Sequence, residues 1–414
     1  MTRISSNTPT DNMQYHSRIR EQQLSRLQSS MAAQTRILNL RDDPTAAAHS
    51  TRYQSQISRL ERFTSNIQNA TMNHRVTEGH MRSAVDVIHR ARELAVTGAH
   101  GTFSPDDKKL MAGELDELLG ELVEIANAKN GDGNFIFAGE RTRTTPFRTI
   151  TGNVPGASGH VVTHVEYIGD IGVKQTEVSD GSYMPLNHPG NRVFWAENQQ
   201  IFAANDASAY QVNDDASIMI NTTHIDIAAG DNVYSIIAKI NDSAAGVKAR
   251  LDPVTNGLIL ETTTPHQVWL QDTSGTVLQD LGVVRDAESR PPANLAAGAQ
   301  AFGGSLFDVV IRLRDELYAG NSINVGGSAL RGIDDAMSNI LSELGSLGAQ
   351  SARLEHAYRR VDAQIPIMTE WNSKITDIDL AEATMELKML EFTHRAALSV
   401  AARVIQPSLL DFLR

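Results

Sequence analysis

Two hydrophobic repeats, one near each end, restrict how this chain can fold. The first begins at Leu60 and ends at Ala95, and the second begins at Ile333 and ends at Ile375. Apolar residues that alternate spacings of three and four form a stripe that a long helix buries against another long helix. We therefore predict an elongated, antiparallel coiled-coil rod built from both ends of the chain. The residues expected to face one another are Ile67, Met81 and Ile88 on one side and Ile340, Leu344 and Leu354 on the other.

The length and the charge of the chain restrict the functions that it can have. The chain has 414 residues, 41% of them hydrophobic, which is enough for two or three cores. Its 37 basic and 49 acidic side chains give a formal charge of -12, and no block of Lys or Arg interrupts the acidic balance. Phosphate binding needs a clustered positive face, so nucleic acid is a poor candidate partner.

The sequence also indicates in which cellular compartments the protein can function. Cysteine is absent, so the chain has no disulfide and no thiolate nucleophile or metal ligand. No apolar run approaches the roughly 20 residues of a membrane span, and residues 1–20 lack the apolar segment of a secretory signal peptide. We expect no membrane insertion, and export, if it occurs, by a route without a cleaved signal peptide.

Local signals place the helices. Asp43 and Pro44 predict the start of a long helix that reaches about Ala99, after a weakly apolar helix over about 11–40. Ser104 and Pro105 predict the start of a third helix. Pro366 lies inside the second repeat, so we expect a kink or a break there.

The middle of the chain has a different character. Short apolar runs alternate there with Gly, Asn, Asp and Pro, which is typical of antiparallel strands. Asn256 and Gly257 predict a hairpin, and Asp231 is expected to cap a helix over Val233 to Ile240. The segment GNFIFAGERT, which begins at Gly133, is expected to form a strand and a turn.

These patterns predict an α+β, elongated, multidomain protein in which a β-rich domain interrupts a helical one. Residues 1–43 plus 377–414 are predicted to form a terminal helical segment. Residues 44–140 plus 305–376 are predicted to form the helical rod, and residues 141–304 the inserted β-rich outer domain.

Several segments resemble the flagellin superfamily, and within it the hook-associated proteins of the hook–filament junction. The N-terminal segments are RISS, DDP and ANAKNGDGNFIFAGERTRTTPF. The central ones are YIGDIGVKQTEVSDGSYMPLNHPGNRVF and INTTHIDIAAGDNVYSIIAKIND, and the C-terminal one is ITDIDLAEATMELKMLEFTHRAALSVAARVIQPSLLDFL. They keep the family's order along most of the chain.

The resemblance implies a structural subunit of the bacterial flagellum that joins hook to filament. It implies self-association into a ring, contacts with a hook-side junction protein and with flagellin, and a cytoplasmic export chaperone. It also implies type III export to an extracellular or periplasmic flagellum. The alternatives are a flagellin filament subunit and, from another class, a secreted adhesin or glycan-acting protein that uses the β domain.

Apolar residues near the C-terminus are the candidate assembly residues, because an isolated subunit would have to expose them. They are Leu387, Leu390, Leu409, Leu410, Phe412 and Leu413. The stripe on the N-terminal segment is thin, so we expect both ends to be largely unfolded in the isolated subunit and to order on assembly.

Catalytic chemistry has weak support. His160, His164 and Glu166 would share one strand face and could bind a metal, but a polar strand face explains them more simply. No phosphate-binding loop, HExxH helix or GxSxG elbow occurs. His74 and His394 lie on helical stripes and are expected to pack at interfaces. We therefore expect no enzymatic activity, no metal and no cofactor.

Overall fold

The structure is a computed structural model that describes residues 8–286 and 291–404. It confirms the mixed α+β class, with long helices toward both ends and a β-rich central region. The chain divides into two compact units. One contains the residues up to Ser65 together with those from Arg359 onward, and the other runs from Asn66 to Tyr358.

The helices of the described residues are α1 (Thr8–Ala33), α2 (Pro44–Ala99), α3 (Pro105–Ala126), α4 (Gly190–Val193), α5 (Val233–Asp242), α6 (Val277–Asp280), α7 (Leu306–Tyr318), α8 (Ser322–Asn324), α9 (Leu330–Thr376) and α10 (Leu380–Val404). A π-helical turn at Val325–Ala329 leads from α8 into α9.

Side-chain caps begin the longer helices where the sequence predicted. Asp43 Oδ1 accepts a hydrogen bond of 3.0 Å from the Ala46 N–H at the start of α2. Ser104 and Asp107 form a capping box at the start of α3, in which each side chain bonds the other residue's backbone N–H. Helix α1 ends at Ala33, earlier than predicted, because Gln34 adopts a left-handed φ of 55° that a helix cannot continue through.

Pro366 does not break the second long helix, which contradicts the expected break. Helix α9 runs through it from Leu330 to Thr376. Proline removes one N–H from the helical ladder, and the carbonyl four residues earlier belongs to Asp362. Both Asp362 and Pro366 are exposed, so water can satisfy that carbonyl.

The strands are β1 (Phe147–Asn153), β2 (His160–Tyr167), β3 (Gln175–Ser179), β4 (Ser182–Pro185), β5 (Gln200–Phe202), β6 (Ala216–Ile220), β7 (Thr223–Ile227), β8 (Val247–Leu251), β9 (Leu258–Thr262), β10 (Leu270–Ser274) and β11 (Gln300–Phe302). They pair antiparallel as two hairpins, β1–β2 and β3–β4, a three-stranded sheet β10–β6–β7 and a four-stranded sheet β11–β5–β9–β8.

Two local expectations in the central region need correction. Helix α5 is capped by Asn232, which accepts from the Ser235 N–H, and not by Asp231. Asp231 instead accepts from Lys239 Nζ at 2.5 Å, and its hydrogen bonds lower its pKa to about 2. The segment from Gly133 forms turns with one isolated bridge from Phe135 to Lys129, and no strand, because Phe135 and Ile136 bond nearby loop carbonyls.

The predicted hairpin at Asn256 is present between β8 and β9, with a loop of Asp252 to Gly257. Asn256 has a left-handed φ of 54°, and Asp252 caps the turn through Thr255.

The helical core of the second unit buries the predicted stripes. Met81, Ile88 and Ile340 are fully buried in it. Arg92 bonds Asp334 at 2.7 Å, and His74 bonds Ser351 at 3.4 Å, so α2 and α9 run antiparallel here. The predicted partners Ile67 and Leu354 are also buried.

Residues from the β-rich region complete this helical core. Phe147, Tyr167 and Phe194 belong to it. The ring of Phe307 in α7 lies 5.0 Å from the tilted ring of Phe147 and 5.7 Å from the stacked ring of Phe194, between centroids. Aromatic pairs at such distances add to the energy of burial. Hairpin β1–β2 and helix α4 therefore pack with the helices.

A second core, which we call the β core, lies between Ile201 and Val284 and includes Ile218, Ile236 and Leu260. The chain enters and leaves it at neighbouring positions, because Gln200 pairs with Phe302 between β5 and β11. The domain boundaries near residues 141 and 304 stay a prediction.

Candidate assembly surface

Helices α1 and α10 pair antiparallel in the first unit. Arg20 Nη1 donates to the Thr393 carbonyl at 3.3 Å, and Thr35 forms a bridge with Asp377 at the turn end of the pair. The Arg36 N–H also donates to the Thr376 carbonyl at 2.7 Å. These contacts fix which face of α10 is turned toward α1.

The predicted assembly residues Leu387 and Leu390 lie on the α1-facing side of α10. Both are half-buried, on the same helical face as the buried Ala383. Leu390 lines a groove together with Gln23 and Leu27 of α1. In this structure the two leucines therefore contribute to the α1–α10 pair, and their role in assembly stays a prediction.

The opposite side of α10 carries a second apolar stripe, which is exposed. Met385 and Met389 are each 68% exposed and Phe392 is 73% exposed. Ala396 and Val400 continue the stripe and are also exposed. At about 100° per residue these five residues share one face, roughly opposite Ala383 and Leu390. We call them the outer face of α10.

This outer face was not among the predicted assembly residues. Its residues repeat with the same three-and-four spacing as the inner stripe, displaced by two positions, so periodicity could have found it. A helix with two apolar stripes needs two partners, and α1 supplies one. Contiguous exposed apolar residues of this kind mark interaction surfaces.

A groove of about 740 Å³ adjoins the outer face, between α10 and the first half of α1. Phe392, Ala396 and Val400 line it on one side, and Met13 and Ser17 line it on the other. The exposed Tyr15 belongs to the same part of α1. The groove gives a partner helix a recessed apolar site beside the stripe.

The remaining predicted assembly residues, Leu409, Leu410, Phe412 and Leu413, lie outside the described residues.

The residues considered for metal binding take part in separate contacts. His164 Nδ1 lies 3.4 Å from Asp308 Oδ1, which raises the pKa of His164, and Glu166 pairs with Arg148 at 2.5 Å. His160 is exposed at the far end of β2. Within residues 8–286 and 291–404, no three or more His, Asp or Glu side chains come together as metal ligands.

His74 and His394, the two histidines on the helical stripes, are both at least half-buried. His74 is completely buried, and His394 is half-buried with its Nδ1 enclosed. No helix in the described part of the chain combines the length and the apolar character needed to cross a membrane.

Three family models match this chain in order along its length. The bacterial flagellin N-terminal helical region matches residues 4–142, the flagellin hook IN motif matches residues 211–264, and the bacterial flagellin C-terminal helical region matches residues 330–413. The chain belongs to the flagellin superfamily. The outer face and its groove lie within the two terminal helical regions of this superfamily.

Named relatives fall in two branches of the superfamily. The chain is similar to flagellar hook-associated protein 3 of Escherichia coli strain K12, with 27% identity over 183 residues, 44% of this chain. That match spans about half, 54%, of the E. coli protein's length. Polar flagellin F of Vibrio parahaemolyticus is 23% identical over 378 residues, which cover 90% of this chain and 88% of the flagellin.

Among solved structures, hook-associated protein-3 from Legionella pneumophila aligns with 78% of this chain and 98% of its own. The TM-score is 0.47 and the sequence identity is 20%.

Proposed function

We propose that this protein is a structural subunit of the bacterial flagellum that joins the hook to the filament. The observation that carries the proposal is the outer face of α10, an apolar stripe with no partner inside the described chain. Burial of a stripe of this length on a neighbouring helix would stabilise a subunit contact by several kcal/mol, at about 25 cal/mol per Å² of apolar surface. The similarity to hook-associated protein 3 supports the choice of junction over filament.

The proposed partners follow from this role. The subunit self-associates into a ring, because a surface that meets a different surface of the next copy closes rings or grows helical tubes. Neighbouring axial proteins, a hook-side junction protein and flagellin, cover the two ends of the ring. A flagellar export chaperone covers the apolar C-terminal region before export. The location is the extracellular or periplasmic flagellum, and the protein is not an enzyme.

A filament subunit is the second candidate. The match to polar flagellin F covers nine-tenths of this chain, more than the match to hook-associated protein 3. Electron microscopy of the purified protein separates the two roles. Long filaments formed by this protein alone would identify a flagellin, whereas a junction subunit is expected to remain unpolymerised or to form short rings.

Deletion of the gene tests the junction role in the cell. We expect hooks without filaments, flagellin released into the medium and loss of motility. Reintroduction of Met389→Asp or Phe392→Asp should fail to restore filaments, because each places a charge on the outer face. Val254→Asp is the matched control, since Val254 is also apolar and exposed but lies in the β8–β9 loop.

The outcomes are distinct. Full motility with Phe392→Asp would show that the outer face is not an assembly surface. Normal filaments in the deletion strain would rule out the junction role itself.

A further inference from the structure

Two histidines from distant parts of the sequence meet inside the second unit. The rings of His74 in α2 and His188, just before α4, lie 5.6 Å apart between centroids, with their planes at 68°. Both side chains are buried. His74 Nε2 donates to the Pro185 carbonyl at 2.8 Å, and its Nδ1 is 3.4 Å from the Ser351 hydroxyl, which can donate to it. The contacts of His74 thus match its neutral form.

The surroundings of His188 disfavour protonation of its ring. Its Nε2 is buried without a hydrogen bond, as is Oε1 of Gln350 on α9. Besides burial, the charge of Arg192 and that of a protonated His74 would disfavour a proton on His188, whereas the Gln350 side chain beside it favours one. Arg192 is itself paired with Glu343 of α9 at 3.1 Å. A proton on His188 would therefore add a buried cation near the guanidinium of Arg192, which is itself more than half exposed.

A third buried histidine lies on the β-core side of Arg192. His266 Nδ1 donates to the Thr264 carbonyl at 2.8 Å, and its Nε2 accepts from Asn221 Nδ2 at 3.0 Å. The charge of Arg192 reaches this ring as well. Protonation of Nε2 would turn an acceptor into a donor and oppose the Asn221 amide.

These histidines flank the place where α4 joins the two cores. The Asn191 amide donates to the Gln267 carbonyl at 3.2 Å, and the Gln267 N–H donates back to the Asn191 carbonyl at 3.1 Å. Asn339 of α9 holds the same segment through the carbonyls of Arg192 and Trp195, at 2.8 and 2.7 Å. We call this arrangement the α4 joint.

We propose that the α4 joint is a proton-controlled latch between the helical core and the β core. At neutral pH the three uncharged histidines hold the segment from Pro185 to Trp195 against both cores. In mildly acidic solution their protonation adds charges beside Arg192, and repulsion loosens the joint while the two cores remain folded.

The titration properties agree with this geometry. Burial, with the charges of His74 and Arg192, lowers the pKa of His188 to about 4. Burial also lowers the pKa of His74 and of His266. Because the closed joint favours the unprotonated rings, acid favours the open joint, and the change is expected on the acid side of pH 6.

Tryptophan emission of the full chain tests the latch. Trp195 and Trp269 are buried at the joint, and the backbone N–H of Trp269 donates to the side-chain oxygen of Asn221. Trp371→Phe removes the remaining tryptophan, which lies in the first unit. Between pH 7 and pH 4 we expect the emission maximum to move to longer wavelength, while helical circular dichroism at 222 nm changes little.

Two variants locate the titrating group. His188→Gln should move the midpoint to lower pH by about one unit, since glutamine cannot take up the proton. His160→Gln is the matched control and should leave the midpoint unchanged, because His160 is exposed at the far end of β2.

An unchanged midpoint in His188→Gln, or an emission change that coincides with loss of helical signal, would overturn the proposal. If His188→Gln does not fold, nuclear magnetic resonance of the His188 ring in the parent protein decides. Titration near pH 6.5, like a free histidine, would refute the latch, and titration well below it together with the emission change would support it.

Discussion

Arg314 Nη1 donates a hydrogen bond of 2.6 Å to Asp116 Oδ1 and so joins helix α7 to helix α3. The arginine is completely buried, whereas Asp116 remains partly exposed. Asp315 accepts from the same guanidinium at 2.8 Å. A cation in this position depends on its carboxylates, since a buried unpaired charge is costly.

Removal of the Asp116 carboxylate should lower the free energy of unfolding more than removal of the Arg314 guanidinium. We expect Asp116→Ala to lower the free energy of unfolding by about 2 to 3 kcal/mol, because Arg314 then keeps only Asp315. Arg314→Met should cost about 1 kcal/mol, since both carboxylates can be hydrated. Urea denaturation measures the two values, and a larger loss in Arg314→Met would contradict this account.

The predicted packing of the apolar stripes of α2 and α9 against each other has a direct test. Ile88→Asp places a charge at a fully buried position of α2 and should cost about 3 to 5 kcal/mol. Val76→Asp, at a partly exposed position of the same helix, should change stability by less than about 1 kcal/mol. Thermal melting followed by circular dichroism compares the two variants, and equal melting temperatures would refute the predicted packing of α2 against α9.

Removal of the β core should leave the helical core folded. Because Gln200 and Phe302 are paired, a linker of a few Gly and Ser residues can replace residues 201–301. We expect this variant to fold and to give the circular dichroism signal of the helices that remain. Replacement of residues 147–300, the division nearer to the sequence-based boundaries, also removes Phe147, Tyr167 and Phe194 from the helical core and should be markedly less stable. Equal stability of the two variants would show that these aromatics contribute little.

Stability should fall in acid because of His188. Its pKa is about 4 in the folded protein against 6.5 for a free histidine, so between these values the unfolded chain binds more protons. The contribution is fully present above pH 6.5 and is lost as the pH falls toward 4, by about 3 kcal/mol. Urea midpoints from pH 7 to pH 4 measure it. His188→Gln should flatten the dependence, whereas His164→Gln should not, because Asp308 raises the pKa of His164 and gives the opposite sign.

Ordering of the two termini is expected to accompany assembly. Limited proteolysis of the dilute subunit should trim residues 1–42 and 377–414 and leave a resistant fragment, since neither end buries enough apolar surface to offset its loss of entropy. Removal of Leu409 to Arg414 should abolish assembly without changing the stability of that fragment. Amides in α1 and α10 that resist hydrogen exchange in the monomer would argue against coupled ordering.

Local sequence was sufficient for much of the helical architecture. The spacing in α2 and α9 predicted which residues are buried, because a 3.5-residue period leaves one face of a helix apolar whatever its partner is. The caps at Asp43 and Ser104 were also predictable, since each needs only a side chain and an N–H three residues later. The resemblance of the terminal segments then led to the flagellin superfamily, which the family models confirm.

Other features depended on contacts between distant residues. Asp231 was displaced as a cap because Lys239 and Ser235 bind its carboxylate, and Arg314 is buried only because Asp116 lies on another helix. Periodicity identifies apolar stripes on α10, but only the packing of α1 shows which stripe is covered and which is exposed. His74 and His188 are 114 positions apart, so no local pattern relates them. Burial and electrostatic environment are set by the whole surrounding structure, and for that reason the exposure of the outer face and the existence of the α4 joint became visible only in the folded chain.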